Sequence, residues 1–434
     1  MKFEKICVLG LGYTGLPTAT TFATHGLKVV GVDINPEVIA TLQNGGVHIH
    51  EPGLRTLVQA AMRSGNLTVC AGPEPADAFI IEVPTPFYHE ESGVHEGRPY
   101  RLADMRAVVA ATESIIQHLR KGNLVVLEST SPPRTTVDLL IPILERSGLK
   151  AGVDFYLAYT PERVLPGQIL RELIENDRVI GGIDPASAEA GRDLYAIFVR
   201  GEIVLTDATT AEMVKLMENT YRDINVAIAN EFSRLAERFG VDVWEAISLA
   251  NRHPRVKVLR PGPGVGGHCV SVDPWFLVEA APDLATLTHT ARLVNDSQPV
   301  FVLESIRKAA GPLAGKRIAV LGLAFKEDVD DLRESPAVEI TQMLVEQGAR
   351  VKAFEPFKPE AHYDAFETVP TLEGALEGAE MLVILAGHTA FKALDPRQIA
   401  SQTPARLIMD TRNVIDRAAW QAAGFRVARL GDGK

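Results

Sequence analysis

The sequence is poor in cysteine, in aromatic residues and in long apolar runs. Three cysteines among 434 residues argue against a disulfide framework and are typical of a protein from a reducing compartment. No apolar run reaches the ~18 residues that a membrane span requires, and no leader of charged and apolar residues precedes the first strand pattern. We therefore expect a cytoplasmic protein that does not enter a membrane.

Positive charge is also scarce. Lys and Arg total 44 against 55 Asp and Glu, which gives a net charge of −11. This balance argues against a nucleic-acid-binding protein that depends on neutralising phosphates, but it leaves room for a local basic pocket for one small anion. The apolar fraction of 46% and the charged fraction of 23% are those of an ordinary globular protein. The length predicts two or three domains.

A nucleotide-binding pattern opens the chain. Residues 5–31 read as strand, glycine-rich turn, helix and strand. The glycines at 10, 12 and 15 have the spacing that lets a pyrophosphate approach the backbone and the helix N-terminus closely. Asp33 ends the second strand, where a carboxylate accepts a hydrogen bond from a ribose hydroxyl and repels a 2′-phosphate. The pattern therefore predicts NAD rather than NADP.

Alternating strand and helix patterns continue to about residue 205 and predict a doubly wound parallel sheet. The strand patterns at 78–83 and 124–128 run into turn-rich segments, VPTP and STSPP, where open α/β sheets bind ligands and where Ser129 offers a hydroxyl. Helix capping is the alternative role for such hydroxyl residues. The predicted cofactor-binding residues are Gly10, Gly12, Tyr13, Thr14, Gly15, Asp33, Thr85 and Thr130. After the strand at 156–159, the segment TPERVLPGQ presents Glu162, either to activate water or as a solvated acid.

The middle of the chain combines a long helix with a glycine-rich loop. Apolar residues at helical spacing predict one helix over 210–239, capped by Thr209 or Thr210 and ended by Gly240. Its length suits a connector between domains that also offers a dimer face. Lys215 and Asn219 stand one turn apart on it, either as a functional pair or as a solvated pair on the helix surface. The loop PGPGVGGHCVSVD then presents Cys269 in a backbone too rich in glycine for a packed core, either for chemistry or as an inert thiol. Cys7 and Cys70 lie in strand patterns and are expected in the core.

A second helical stretch over 284–310 leads to a defective repeat of the opening pattern. KRIAVLGLAFK echoes KICVLGLGYTG, but Ala324 and Glu327 replace the second and third glycines. We interpret this part as a degenerate nucleotide fold for a ligand other than NAD. Lys326, Arg333 and Arg412 are suitable phosphate or uridine contacts, and the alternative for each is an ordinary surface charge. The prediction is two Rossmann-like doubly wound sheets joined by a central helical domain, with boundaries at 1–205, 206–305 and 306–434.

Seven motifs in this order resemble the UDP-glucose/GDP-mannose dehydrogenase family: GLGYTG, VPTP, ESTSPP, TPERVLPG, EMVKLMENT, PGPGVGGHCVSVDP and GLAFKEDVDDLRESP. The resemblance covers nearly the whole chain. It implies NAD-dependent, four-electron oxidation of a UDP-sugar at C6 to the uronic acid, through a thiohemiacetal and a thioester on a cysteine, in a homodimer. The segments NRHPRVKVLRPGPGVGGHC and DPWF favour UDP-N-acetyl-D-mannosamine. The alternatives are UDP-N-acetylglucosamine, UDP-glucose, a two-electron hydroxyacid dehydrogenase and a non-catalytic nucleotide-sugar sensor.

The resemblance also implies roles for single residues. Cys269 matches the nucleophile, and Lys215 with Asn219 matches the pair that polarises the C6 oxygen. Asp273 and Thr130 match the residues that order the catalytic water, which Glu162 would activate. The implied substrate contacts are Glu162, Arg163, Val164, Lys215, Asn219, Gly266, Lys326 and Arg412, together with Arg255 lent to a neighbouring subunit. No metal is expected. Two departures, Pro166 in place of a glutamate and Val272 in place of a lysine, argue against a glucose substrate.

Overall fold

The computed structural model describes residues 1–433, without the side chain of His89. It divides into two compact units. Unit 1 comprises Met1–Glu218 and Trp275–Leu284, and unit 2 comprises Asn219–Pro274 and Ala285–Lys434. The three predicted domain boundaries stay a prediction. Among the described residues, no helix combines the length and the apolar character that crossing a membrane requires.

Unit 1 is built on strands and helices that alternate along the chain. The strands are β1 (Lys5–Leu9), β2 (Lys28–Val32), β3 (Leu67–Cys70), β4 (Ala78–Ile81), β5 (Phe87–His95), β6 (Arg98–Ala103), β7 (Leu124–Leu127), β8 (Tyr156–Tyr159), β9 (Arg178–Gly182) and β10 (Ile203–Asp207). The helices are α1 (Gly15–Thr24), α2 (Pro36–Gln43), α3 (Leu54–Arg63), α4 (Arg106–Ile115), α5 (Ile141–Leu144), α6 (Ile169–Glu175) and α7 (Pro185–Tyr195). Short 3-10 turns at Ile116–His118 and Glu145–Ser147 and a π-helix at Thr135–Leu140 complete the unit.

The main sheet of unit 1 has the order β10-β9-β8-β7-β4-β1-β2-β3 within the described residues. All its pairs are parallel except β8 with β9, which is antiparallel. The prediction of a purely parallel sheet was therefore wrong at this pair, because hydrophobic periodicity carries no information about strand direction. The antiparallel hairpin of β5 and β6 was not predicted either.

The core of unit 1 lies on both faces of this sheet. Successive residues of β1 alternate between two apolar clusters, with Ile6 and Val8 on one face and Cys7 and Leu9 on the other. Cys7 is buried, as predicted, and burial raises the pKa of its thiol to about 12. Cys70 is half-buried rather than part of the core, and its thiol donates a hydrogen bond to the carbonyl of Gly72.

A single helix of 32 residues, α8 (Ala208–Phe239), belongs partly to each unit. It begins two residues before the predicted start. Its cap is Asp207, not Thr209 or Thr210: the Asp207 carboxylate accepts hydrogen bonds from the backbone N–H and the hydroxyl of Thr210 at 2.9 and 2.6 Å. Gly240, with φ of +70°, comes directly after its last residue, as predicted.

Unit 2 contains the second sheet. Its helices after α8 are α9 (Val243–Ala250), the start of α10 (Asp273–Ala280), α11 (Thr286–Asp296), α12 (Gln298–Ala310), α13 (Pro336–Glu346), α14 (Leu372–Leu376), α15 (Thr389–Lys392), α16 (Pro396–Gln402) and α17 (Arg417–Ala422). Its strands are β11 (Arg317–Leu321), β12 (Arg350–Phe354), β13 (Glu367–Thr368), β14 (Met381–Ile384), β15 (Leu407–Asp410) and β16 (Arg426–Arg429). They form a parallel sheet in the order β13-β12-β11-β14-β15-β16.

The predicted fold class, two Rossmann-like sheets with helices between them in sequence, is confirmed. The helix predicted over 284–310 is instead two helices, α11 and α12, separated at Ser297. Pro299 explains the break, because proline lacks the N–H that a continuous helix would need at this point and is tolerated only in a first turn.

Candidate active site

The glycine-rich turn between β1 and α1 has the shape of a pyrophosphate cradle. Gly10 has φ of +95°, and a Cβ added there would lie 2.1 Å from the carbonyl oxygen of Glu82. A Cβ on Gly15 would lie 2.0 Å from the carbonyl oxygen of Gly10. A Cβ on Gly12 would meet nothing within 4 Å. The first and third glycines are thus needed for packing, whereas the second leaves open space over the turn, as NAD binding requires.

The other predicted cofactor residues surround this turn in different ways. Asp33 is half-buried, and its two carboxylate oxygens accept hydrogen bonds from the N–H groups of Leu11 at 3.0 Å and Asn35 at 2.8 Å. Tyr13 packs against the apolar core. The hydroxyl of Thr14 donates to the carboxyl group of Glu82. Asp33 is therefore held in place by the backbone, and its predicted role in binding a ribose stays a prediction.

The two segments after β4 and β7 are tied together by Ser129. Its hydroxyl oxygen accepts a hydrogen bond from the N–H of Val83 and donates one to the carbonyl of Val83, both at 2.8 Å. Ser129 is buried, so its hydroxyl serves the protein rather than a ligand. Thr85 and Thr130 are half-buried and keep the predicted ligand-facing role as a prediction.

The structure brings Glu162 and Lys215 together within unit 1. Glu162 is 7% exposed and Lys215 is 9% exposed. The Lys215 ammonium donates to the backbone carbonyl of Glu162 at 2.5 Å. The Glu162 carboxylate accepts the N–H of Val164 at 2.9 and 3.0 Å. Burial raises the pKa of Glu162, and the charge of Lys215 opposes that shift. A buried carboxylate with a raised pKa beside an ammonium suits a general base.

Arg163, the next residue, is held by protein groups. Its guanidinium contacts the carboxylate of Glu218 at 2.8 Å and also donates to the carbonyl of Asp177. The loop after β8 is anchored by the buried Glu51, whose carboxylate accepts the N–H groups of Gly167 and Ile169 at 2.7 and 2.9 Å. The loop that carries Glu162 is therefore fixed at both ends.

A second group of predicted residues meets in unit 2. Asn219 donates from its side-chain amide to the carboxylate of Asp273 at 2.5 Å, and the N–H of Asp273 donates to the carbonyl of Cys269 at 2.8 Å. The Cys269 sulfur lies 3.6 Å from Nε2 of His268. Cys269 is half-buried and Asp273 is buried. The thiol therefore lies next to an imidazole, a partner that the sequence reasoning did not single out.

The glycines before Cys269 make room mainly for the protein itself. A Cβ on Gly262 would lie 2.1 Å from the guanidinium of Arg412. Cβ atoms on Gly266 and Gly267 would lie 2.6 and 2.9 Å from the side chain of Phe325. Gly267 also has φ of +84°. The expectation that this loop is too rich in glycine to pack closely was therefore wrong, because its glycines allow close contact with the second nucleotide fold.

The same loop lies beside the predicted basic contacts of unit 2. Arg412 is half-buried, and burial lowers the pKa of its guanidinium; the negative charges of Glu327 and Asp410 oppose this shift, and the positive charge of Arg260 adds to it. A half-buried guanidinium suits an anionic ligand such as a diphosphate. Lys326 is half-buried, whereas Arg333 is already paired with Asp331 at 2.7 Å. Arg260 was not predicted.

Arg255, the residue predicted to be lent to a neighbouring subunit, is exposed. Among the charged residues of unit 1 that the sequence reasoning missed are the buried Glu128 and Arg178 and the half-buried Glu82. Glu82 comes directly after β4, Glu128 comes directly after β7, and Arg178 begins β9. The sequence signal for the glutamates was that each stands at the end of a buried strand, at the carboxyl edge of the sheet, which is where such sheets bind ligands.

Three parts of the chain, which together make up most of it, match one family. Residues 4–199 match the NAD binding domain of the UDP-glucose/GDP-mannose dehydrogenase family, residues 209–297 match its central domain, and residues 319–417 match its UDP binding domain. The chain belongs to the UDP-glucose/GDP-mannose dehydrogenase family.

Members of this family resemble the chain over its full length. It is 48% identical to the UDP-N-acetyl-D-mannosamine dehydrogenase of Methanocaldococcus jannaschii, covering 99% of this chain and 97% of the relative. It is 47% identical to the NDP-N-acetyl-D-galactosaminuronic acid dehydrogenase of Ralstonia nicotianae, covering 95% and 97%. The solved structure of the UDP-D-ManNAc dehydrogenase of Pyrococcus horikoshii matches with a TM-score of 0.89 at 40% identity, covering 99% and 100%.

These matches make the chain an NAD-dependent oxidoreductase of the UDP-glucose/GDP-mannose dehydrogenase family. The NAD binding domain of the family coincides with the sheet that carries the glycine-rich turn. The UDP binding domain coincides with the degenerate second sheet, which agrees with the prediction that this sheet binds a ligand other than NAD.

Proposed function

We propose that the protein oxidises the C6 hydroxyl of UDP-N-acetyl-D-mannosamine to a carboxylate. The observation that carries the proposal is the 48% identity, over 99% of this chain, to a UDP-N-acetyl-D-mannosamine dehydrogenase. One sugar consumes one water molecule and two NAD. NAD, when bound, supplies the acceptor for the two electrons and the hydrogen removed from C6 in each oxidation.

Cys269 is the group that retains the intermediate. The first oxidation leaves an aldehyde, to whose carbon the Cys269 thiolate adds, forming a C–S bond. Oxidation of this thiohemiacetal gives a thioester, and attack by water then breaks the C–S bond and releases the carboxylate and the thiolate. A glycine-rich backbone holds the thiol half-buried beside His268, an arrangement that supports thiolate formation.

Lys215 and Asn219 act on the C6 oxygen in this proposal. They lie one turn apart on α8. The Lys215 ammonium is oriented by the carbonyl of Glu162, and the Asn219 amide is oriented by the carboxylate of Asp273. Oriented donors stabilise an oxygen that gains negative charge in the transition state. Glu162 takes a proton from the attacking water, which Asp273 and Thr130 order.

The experiment that tests the proposal counts NADH formed per sugar consumed with purified protein. We expect two NADH and one uronic acid per UDP-N-acetyl-D-mannosamine. Cys269→Ser should lower uronic acid formation by about 10⁴-fold or more while NAD still binds. The matched control is Cys70→Ser, since Cys70 is a half-buried thiol outside the proposed machinery. One NADH per sugar, or full turnover by Cys269→Ser, would contradict the covalent mechanism.

A galacto-configured N-acetylhexosamine is a second candidate substrate. The relative from Ralstonia nicotianae, at 47% identity, favours it. The two sugars differ in the configuration of ring hydroxyls and of the acetamido group, so pocket shape decides between them. Comparing kcat/KM for the UDP-linked N-acetylmannosamine, N-acetylgalactosamine, N-acetylglucosamine and glucose separates the candidates. A higher kcat/KM for any sugar other than N-acetylmannosamine would overturn the substrate assignment.

We also propose that the protein is a homodimer through α8. Within unit 2 this helix exposes large apolar side chains at the helical spacing of one face: Tyr221, Ile228, Phe232, Leu235 and Phe239. An exposed apolar stripe of this length is typical of an interaction surface. The double substitution of Phe232 and Phe239 by glutamate should halve the mass measured by light scattering. A wild-type protein that is monomeric at micromolar concentration would contradict the dimer.

A further inference from the structure

Two carboxyl groups meet beneath the glycine-rich turn, and neither belongs to the residues predicted from the sequence. Ile81 ends β4 and Leu127 ends β7, and these two residues are register partners in adjacent parallel strands. Glu82 and Glu128 are the next residues of the two strands, and the N–H of Glu128 donates to the carbonyl of Ile81 at 2.9 Å. Residues at the same register position of neighbouring strands project to the same face, about 5 Å apart. The two glutamates are therefore side-by-side neighbours.

The hydrogen bonds of the two glutamates leave one oxygen unmatched on each. Oε1 of Glu82 accepts the hydroxyl of Thr14, and Oε1 of Glu128 accepts the guanidinium of Arg178 at 2.7 Å. Oε2 of Glu82 and Oε2 of Glu128 are both buried and form no well-shaped hydrogen bond with the described residues. The buried hydroxyl of Tyr195 lies close enough to act on Glu128 as a hydrogen-bond donor, whereas Oε2 of Glu82 has no such neighbour. Two carboxylate oxygens only repel each other, whereas a carboxylic acid donates to a carboxylate. One proton between the two Oε2 atoms satisfies both.

The charges around the pair lead to the same conclusion. Three carboxyl groups, those of Glu82, Glu128 and Glu162, face two cations. Arg178 is bonded to Glu128, and Lys215 lies next to Glu162. Within the described part of the chain, Glu82 forms no ion pair of its own, so a single retained proton on Glu82 brings the cluster to neutrality.

The direction of the pKa shift agrees with this geometry. Burial and the negative charge of Glu128 raise the pKa of Glu82 well above its usual value, and the Thr14 hydrogen bond opposes them only in part. Tyr195 on α7 also faces the cluster: its ring lies 4.4 Å from the Arg178 guanidinium carbon, and its hydroxyl donates toward Glu128. Burial and the charge of Glu128 raise the pKa of Tyr195 as well, so Tyr195 adds no negative charge.

We propose that Glu82 shares a proton with Glu128 and that this pair positions the turn between Gly10 and Gly15 for the pyrophosphate of NAD. Glu82 itself contacts the turn at three points. The Thr14 hydroxyl is bonded to Glu82, Gly10 packs against the Glu82 carbonyl, and Gly15 faces the Glu82 side chain. Ionised Glu82 would add a buried negative charge under the site of an anionic ligand. Glu82 is thus a positioning residue, and the inference rests on the NAD cofactor rather than on the sugar.

The protonation can be tested on the protein without any ligand. A carboxyl group whose pKa is raised by folding contributes stability that is present below its unfolded pKa, about 4.5, and is lost as the pH rises through the folded pKa. We expect the folding equilibrium constant of the wild type, relative to Glu82→Gln, to fall by about tenfold per pH unit above pH 5 until Glu82 ionises. Urea denaturation at several pH values measures this ratio.

The control for this experiment is Glu346→Gln, which removes an exposed carboxylate on α13 and should give a ratio that stays flat with pH. Infrared spectra should show a protonated carboxyl band in the wild type that is lost in Glu82→Gln. A ratio for Glu82→Gln that is flat or rises with pH, or an infrared spectrum without that band, would overturn the shared proton.

The positioning role has its own readout, the dissociation constant of NAD measured by protein fluorescence. Glu82→Gln keeps an N–H donor for Glu128 and an acceptor for Thr14, so its NAD affinity at pH 7 should stay within about threefold of the wild type. Glu82→Ala leaves Glu128 and Thr14 without those partners and should weaken NAD binding by about tenfold. At alkaline pH, NAD affinity should decline in the wild type and stay constant in Glu82→Gln. Unchanged affinity in Glu82→Ala, or the same pH profile in both proteins, would overturn the positioning role.

Discussion

The two Rossmann-like folds of this protein use the same first glycine and differ at the second. Gly10 and Gly322 both have positive φ, +95° and +91°, and a Cβ on either would lie within 2.5 Å of a neighbouring strand or loop. At the next glycine position the first fold keeps Gly12, with open space around it, whereas the second has Ala324, which is 2% exposed. The first glycine therefore serves the turn itself, whereas the predicted role of the second is to leave room for the ligand.

The acidic residue that follows the second strand of each fold also differs between the folds in how fully protein groups enclose it. Asp33 accepts two backbone N–H groups and stays half-buried. Glu355 is 2% exposed, and its carboxylate accepts the N–H groups of Leu323, Ala324 and Phe357 at 2.8 to 3.0 Å. His388 Nδ1 accepts the N–H of Asp328, so its Nε2 donates to Glu355 at 3.1 Å. Protein groups have replaced the ribose at this position of the second fold.

The largest effect on stability should come from the first glycine of each turn, Gly10 in the first fold and Gly322 in the second. Gly10→Ala and Gly322→Ala should each lower the free energy of unfolding by about 3 kcal/mol or more, since strained φ and a steric clash act together. Gly26→Ala is the matched control, because Gly26 has φ of +99° but nothing within 4 Å of its added Cβ. Urea denaturation measures all three. If Gly10→Ala lowers the free energy of unfolding by no more than Gly26→Ala does, the close packing around Gly10 does not require a glycine.

The second glycine should separate ligand binding from folding. Gly12→Ala should weaken NAD binding by about 10- to 100-fold, because its methyl group fills the space left for the pyrophosphate, while stability changes by less than about 0.5 kcal/mol. Ala324→Gly is the reciprocal change in the second fold and should leave NAD affinity unaltered. Titration calorimetry with NAD checks both variants. Wild-type affinity in Gly12→Ala would contradict the assignment of that space.

Asp33 and Glu355 should differ in their effect on the choice between NAD and NADP. Asp33→Asn removes the charge that repels a 2′-phosphate, so the ratio of kcat/KM for NAD to that for NADP should fall by about tenfold or more. Glu355→Gln should leave that ratio unchanged because the side chain of Glu355 faces only protein. Initial rates measured with NAD and with NADP give this ratio for each variant. An equal shift in both variants would mean that the second fold also contacts the cofactor.

The smallest effect is a difference in pH dependence between acids of the two folds. Burial alone would raise the pKa of Glu355, but hydrogen bonds from His388 and from the backbone outweigh it and hold this pKa below its usual value. Its contribution to stability should be present above about pH 4.5 and lost as the pH falls through the folded pKa. Denaturation of wild type and Glu355→Gln between pH 3 and 7 measures it. Glu82 should show the opposite slope, and the same slope for both would refute one assignment.

Local patterns predicted most of the fold and part of the site. The glycine spacing with Asp33 predicted the first nucleotide fold, and the loss of Gly12 and Gly15 equivalents predicted that the second fold binds something else. Lys215 and Asn219 could be placed on one helix from periodicity alone. In each case the evidence lies within about 30 residues of sequence, where backbone geometry constrains the outcome.

Contacts between distant segments could not be predicted in this way. Glu82 and Glu128 are neighbours only because β4 and β7 are adjacent in the sheet, although a hairpin and a helix separate them in sequence. Gly262 approaches Arg412, and Gly266 approaches Phe325, across long intervals of chain. The direction of β9 and the cap at Asp207 were also missed, because neither changes the hydrophobic pattern.

By itself, the sequence predicted which residues would carry chemistry: the glycines of the first turn, Asp33, Cys269 and the polar pair on α8. Only the tertiary structure decided how those residues are held and charged. Strand order placed a proton-sharing pair of glutamates under the cofactor turn, and packing turned the glycines near Cys269 toward protein side chains. The physical reason is that hydrogen bonding and desolvation depend on neighbours in space, and strand order and register set those neighbours.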